Sequence, residues 1–192
     1  MIRTDRRAVL AGFAAALAAP RAWARDGEYA IDWQGEPVDP RLADVLARQI
    51  AAIRALPIAP AALAFFARQP ILIAKTAGIG SRAIPRGALI TRDPFPVDNP
   101  VLLHELLHRY HTQMVPEGRQ NPDLLRFFAD AKAKKDWPPQ AYLYTDVGEF
   151  FAMTASVVLS GKAARPPYVR AEVERRMPAL YRWIIKEFTL QI

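Results

Sequence analysis

All three histidines of this 192-residue chain fall within the eight positions from His104 to His111. The stretch Val101–His111 reads VLLHELLHRYH, and inside it His104-Glu105-Leu106-Leu107-His108 has the pattern H-E-x-x-H. Residues four apart on a helix share a face, so His104 and His108 can reach one metal ion with Glu105 beside them as a general base. The leucines at 102, 103, 106 and 107 let such a helix be buried while its imidazoles meet at a polar site. His111 lies two helical turns, about 10.5 Å, along the axis from His104. One straight helix does not bring all three rings to a tetrahedral ion, so His111 is expected behind the ligands or at the surface.

Two histidines do not complete a catalytic zinc site, which usually has three protein ligands and a water. A histidine six residues past His108 would supply a third ligand, but Met114 stands there. The remaining ligand is therefore expected to be a downstream carboxylate, from among Glu117, Asp123, Asp130, Asp146, Glu149, Glu172 and Glu174. Glu149 is preferred because it opens EFFAMTASVVL, whose aromatic and small apolar residues suit a helix lying against the histidine helix. The spacing Asp146-x-x-Glu149 is also that of a capping box, which would occupy Glu149 without metal. Glu172 and Glu174 sit among Arg170, Arg175 and Arg176 and read as a charge-paired face.

HELLH followed some forty residues later by EFFA resembles the gluzincin branch of the zincin metallopeptidases, and more closely the catalytic core of the anthrax lethal factor family. The resemblance covers about residues 70–160 and rests on those two short motifs. It implies Zn2+ held by His104, His108 and Glu149, with Glu105 as the base. It also implies a tyrosine seven residues before the third ligand that helps to stabilise the oxyanion; that position is Tyr142, with Tyr144 close by. The activity implied is hydrolysis of a peptide or protein substrate by a water that the zinc acidifies and Glu105 deprotonates. A non-catalytic zincin-like binding module, or a zinc hydrolase acting on a non-protein amide such as peptidoglycan, would share these residues.

The elements that must position the site are legible from caps and periodicity. Asp39-Pro40 opens a helix with Leu42, Val45, Leu46, Ile50 and Ile53 at helical spacing, stopped by Pro57. A shorter helix is expected over 61–68. ILIAKT (71–76) and GALITR (87–92) read as strands joined by a turn-rich connection, and either is a candidate edge for an extended substrate. Asp98-Asn99-Pro100 is expected to cap the histidine helix, and Asn121-Pro122 the next one. WPPQAYLYT (137–145) reads as a loop. Asp146 caps a helix ending at Gly161, and the tail gives two amphipathic helices broken at Pro178. The outline is a mostly helical, zincin-like α+β fold, with a small sheet before the H-E-x-x-H helix and a second helix carrying the third ligand.

Residues 1–24 combine a basic start, an apolar run and the small-residue end Ala22-Trp23-Ala24, the layout of a signal peptide. The pair Arg6-Arg7 suggests the twin-arginine route, and so a periplasmic or secreted domain of residues 25–192 with no membrane anchor after cleavage. Removing residues 1–24 takes away four arginines and one aspartate, so the net charge falls from +7 to +4. That balance is too weak to argue for nucleic acid. The absence of cysteine excludes a disulfide scaffold.

Overall fold

The computed structural model describes residues 29–191; the expected signal segment and its cleavage point lie outside them. Among these residues, four short strands form one sheet: β1 (Ile31–Asp32), β2 (Ile71–Ile73), β3 (Arg82–Ile84) and β4 (Gly87–Ile90), in the order β1-β2-β4-β3. β1 pairs parallel to β2 and β2 parallel to β4, whereas β3 and β4 form an antiparallel hairpin. The expected strands are therefore interior and shorter than their apolar runs. The two edges are β1 and β3, neither of which their few residues announced. Side chains alternate across this sheet. Ile71, Ile73, Ala88 and Ile90 enter the main core, while Leu72, Ala74 and Leu89 form a smaller cluster on the other face with Ile79 and Ile84.

Gly87 shows why β4 begins where it does. Its φ of +155° is one that side-chain-bearing residues rarely adopt, and a Cβ there would stand 2.1 Å from the Pro70 carbonyl oxygen. That carbonyl accepts from the Ala88 N–H at 2.9 Å, which aligns β4 with β2. Only glycine permits this approach of the two backbones.

The described residues also form seven helices: α1 (Pro40–Arg54), α2 (Pro60–Ala67), α3 (Val101–Gln113), α4 (Pro122–Lys134), α5 (Val147–Ser160), α6 (Arg170–Arg176) and α7 (Pro178–Phe188). α3 lies across β3 and β4 and packs along α5, which is buried from Phe150 to Leu159. An aromatic cluster of Phe65, Phe66, Tyr110, Phe151 and Phe188 joins α2, α3, α5 and α7, with ring centroids 4.7–6.5 Å apart. The last residues are tied back by Gln191 N–H to Pro57 O and Ala59 N–H to Phe188 O.

Most caps fall where the sequence puts them. Asp39 accepts from Arg41 and Leu42, Asn121 from Leu124, and Asp146 from Gly148 and Glu149. The start of α3 is different. Pro100 stands at its cap without a side-chain acceptor, and Asp98 instead pairs with Lys162 at 2.9 Å. The capping group comes from α1: the buried Gln49 accepts from Leu102 N–H at 2.9 Å through Oε1. Its Nε2 donates to the carbonyls of Asn99 at 2.6 Å and Val97 at 3.2 Å. A side chain over fifty residues away thus sets the start of the histidine helix by capping Leu102, two residues before His104.

Candidate metal centre

On α3, His104, Glu105 and His108 project from one stretch, and their potential ligand atoms lie within 4.8 Å of one another. His104 Nε2 and His108 Nε2 are 3.1 Å apart. Glu149, in the first turn of α5, brings its Oε2 to 3.1 Å from His104 Nε2 and 3.4 Å from His108 Nε2. Ligands at about 2.0–2.1 Å from a tetrahedral ion stand roughly 3.3–3.4 Å from one another. The triangle of two nitrogens and one oxygen therefore matches three corners of such a site. Glu149 Oε2 is buried and meets no protein donor in hydrogen-bond geometry. An orphaned carboxylate oxygen facing two imidazole nitrogens is costly unless a cation joins them. The donor set, two imidazole nitrogens and one carboxylate, suits zinc.

The electrostatics agree. Burial pushes the His104 imidazole below its usual range, which keeps it neutral and able to donate a lone pair. Burial alone would raise the Glu149 carboxyl, but the imidazoles of His104 and His108 outweigh it and hold the group far below the usual carboxylate range. Glu149 is thus an anion facing both imidazoles. The capping-box alternative is settled by direction: the Asp146 Oδ1 accepts from Gly148 N–H at 2.6 Å and Glu149 N–H at 3.0 Å, while the Glu149 carboxylate lies against the imidazoles.

Glu105 is buried, and its Oε2 has no partner. Desolvation, with the Glu149 charge adding to it, pushes its carboxyl up to about 8, against the pull of the Ala83 backbone N–H and of Arg82. β3, the edge strand, therefore runs beside Glu105. Tyr142 sits in a 3-10 turn (Tyr142–Tyr144) within the expected loop and is partly exposed. Its hydroxyl reaches the Glu149 carboxylate, and burial together with that charge raises its pKa to about 12, so it remains a donor at ordinary pH. Tyr144 points the other way. It is buried, donating to Ala131 O at 2.8 Å and accepting from Trp137 N–H at 3.3 Å, which makes it a prop for the turn.

His111 is neither a ligand nor at the surface. It is fully buried, its ring 4.8 Å from that of Phe151, and neither nitrogen has a partner of good geometry. The other carboxylates considered are engaged or exposed elsewhere: Asp123 with Arg126, Asp146 with Arg119 and its own helix, Glu172 with Arg175 and Arg176, and Glu117, Asp130 and Glu174 at the surface. Two site neighbours were not foreseen. Arg82 on β3 and Arg165, in the segment between α5 and α6, bring their charges to Glu105 and His104. Nothing in the sequence near either residue marks it, because both reach the site only through the chain's tertiary course.

Among solved structures, the chain is similar to the Pro-Pro endopeptidase from Paenibacillus alvei. The match has a TM-score of 0.57 and covers 82% of this chain and 97% of that one, at 15% sequence identity. The two share a fold. That fold is the mostly helical, zincin-like α+β arrangement expected from the sequence. No family model matches the chain, and no curated protein matches it.

Proposed function

We propose that this protein is a zinc-dependent peptidase of the bacterial periplasm or cell envelope, with His104, His108 and Glu149 as metal ligands. The observation that carries the reading is the triangle of His104 Nε2, His108 Nε2 and Glu149 Oε2, with edges of 3.1–3.4 Å, beside a fourth buried group, Glu105, whose carboxyl is not part of it. A purely structural metal site has no need of that adjacent glutamate. The likeness in fold to an endopeptidase supports a peptide as substrate, and the leader-like segment 1–24 supports export.

Bound zinc supplies Lewis acidity, which lowers the pKa of a water and polarises a carbonyl. The chain's own residues do the rest. Glu105 takes a proton as water oxygen attacks the peptide carbonyl carbon, then returns it to the amine nitrogen as the C–N bond breaks; the positive charge of a bound cation favours its carboxylate form. The products are a carboxylate and an amine. Tyr142, kept protonated, donates to the oxyanion of the tetrahedral intermediate. The free edge of β3 lies beside Glu105, so an extended substrate pairs with that strand rather than with β2 or β4, which are both already paired on two sides.

The test is cleavage of a diverse peptide pool by the zinc-loaded protein, read by mass spectrometry, beside Glu105→Gln. The expected result is discrete cleavage whose rate falls about 10²–10⁴-fold in the variant, the usual worth of a positioned base. Equal rates in the two proteins would remove Glu105 from the mechanism. Zinc binding without cleavage of any peptide would favour a binding module or a non-protein amide as substrate.

A further inference from the structure

Arg165 stands on the lip of the candidate centre. Its guanidinium lies over the Tyr142 ring, 5.3 Å from the centroid, and the Tyr142 hydroxyl in turn reaches Glu149. The side chain is exposed, and among the described residues no carboxylate pairs with it. Arg48, Arg119, Arg126 and Arg175 each pair with a carboxylate, whereas Arg41, Arg68, Arg86 and Arg182 are exposed without one; what sets Arg165 apart is its place over Tyr142 beside the centre. Stacking on an aromatic face fixes the plane of a guanidinium while leaving its N–H edge open, the geometry that receives a carboxylate through two parallel hydrogen bonds. Arg82, exposed on the edge strand and likewise without a carboxylate partner, adds positive charge from the β3 side. The glutamates at the centre would oppose an acidic ligand, but a divalent cation held among them offsets both charges. The arginines are then left uncompensated.

We infer that the site takes acidic peptides, with Arg165 on Tyr142 as a specificity-determining residue that binds a substrate carboxylate next to the scissile bond. The inference rests on the peptidase reading and deepens it by naming the substrate's charge. An Arg165 carboxylate pair also brings the substrate backbone between Tyr142 and β3. The guanidinium is a positioning group here and takes no part in proton transfer.

Three peptides identical except for Glu, Gln or Lys in the positions flanking the scissile bond test this. Binding is read by fluorescence anisotropy with zinc-loaded Glu105→Gln, and hydrolysis by kcat/KM with the otherwise unaltered protein. At low ionic strength the Glu peptide is expected to bind roughly tenfold more tightly than the Gln peptide, within the reach of a bidentate arginine pair, with the Lys peptide weaker still. Added to the Glu105→Gln background, Arg165→Glu is expected to invert that order and Arg165→Lys to keep it with a smaller spread. Arg41→Glu, the same change of net charge on α1, is expected to leave the order intact. Equal binding of the three peptides, no binding of any, or an order unmoved by Arg165→Glu would overturn the inference. Equal hydrolysis of all three would sink the charge preference and leave the peptidase reading standing. Charge-dependent binding without hydrolysis by the unaltered protein would do the opposite.

Discussion

His111 carries the sharpest consequence at the scale of single residues. Burial holds its imidazole at about 4, against an ordinary value of 6.5. Above pH 6.5 the ring is neutral in both folded and unfolded chains and contributes no pH dependence. Between 6.5 and 4 only the unfolded chain takes up the proton, so stability falls as the pH falls, by at most about 3 kcal/mol through this group. Urea midpoints of metal-free protein at pH 7, 5.5 and 4.5, compared with His111→Leu, check the sign. The variant is expected to lose less stability on acidification than the parent, and an identical acid limb in both would contradict it. The same residue shows where sequence reasoning stops. Its spacing from His104 correctly argued against a ligand, but spacing does not tell a surface ring from one stacked on Phe151, since that depends on α5. For His104, Glu105 and His108 the local 3.6-residue period was enough to group them. Glu149 needed the packing of α5 against α3 before its carboxylate could be separated from a capping role. Arg165 had no signal at all.

Among the elements, the helices and the interior strands β2 and β4 were legible and the edge strands were not. Caps such as Asp39, Asn121 and Asp146 act within three residues, so their effect is written locally. β1 and β3 are two and three residues long and exist because β2 and β4 offer them edges. The start of α3 combines both lessons. The Asp98-Asn99-Pro100 signal places the helix correctly, yet the acceptor is Gln49, delivered by α1. Replacing Gln49 with Leu leaves the buried Leu102 N–H without its partner, whereas the Asn99 carbonyl keeps its bond from Val101 N–H. The expected loss is roughly 1–3 kcal/mol, from one cap and one buried donor left unsatisfied. Because α3 begins three residues before His104, zinc affinity is expected to weaken as well. Chemical denaturation and a zinc competition titration measure the two effects separately. A variant as stable as the parent would mean that solvent or another residue replaces the cap.

Across the whole molecule, the fold's task is to hold α3 between a small sheet and a buried helix, so that groups from three parts of the chain meet. α3 supplies two imidazoles and a carboxyl, α5 supplies Glu149, and the turn before α5 supplies Tyr142. The triangle closes only if α3 and α5 keep their register, which the apolar face of α5 from Phe150 to Leu159 enforces. If that triangle is a zinc site, metal content should depend on both helices. The most direct measurement is zinc per chain in the purified protein, by elemental analysis after exchange into metal-free buffer, beside His108→Ala and Glu149→Ala. The account predicts one zinc per chain in the parent and its loss, or at least tenfold weaker retention, in both variants. Undiminished zinc in Glu149→Ala would place the third ligand elsewhere, and a parent chain that takes up no zinc when refolded with excess metal would contradict the account at its centre.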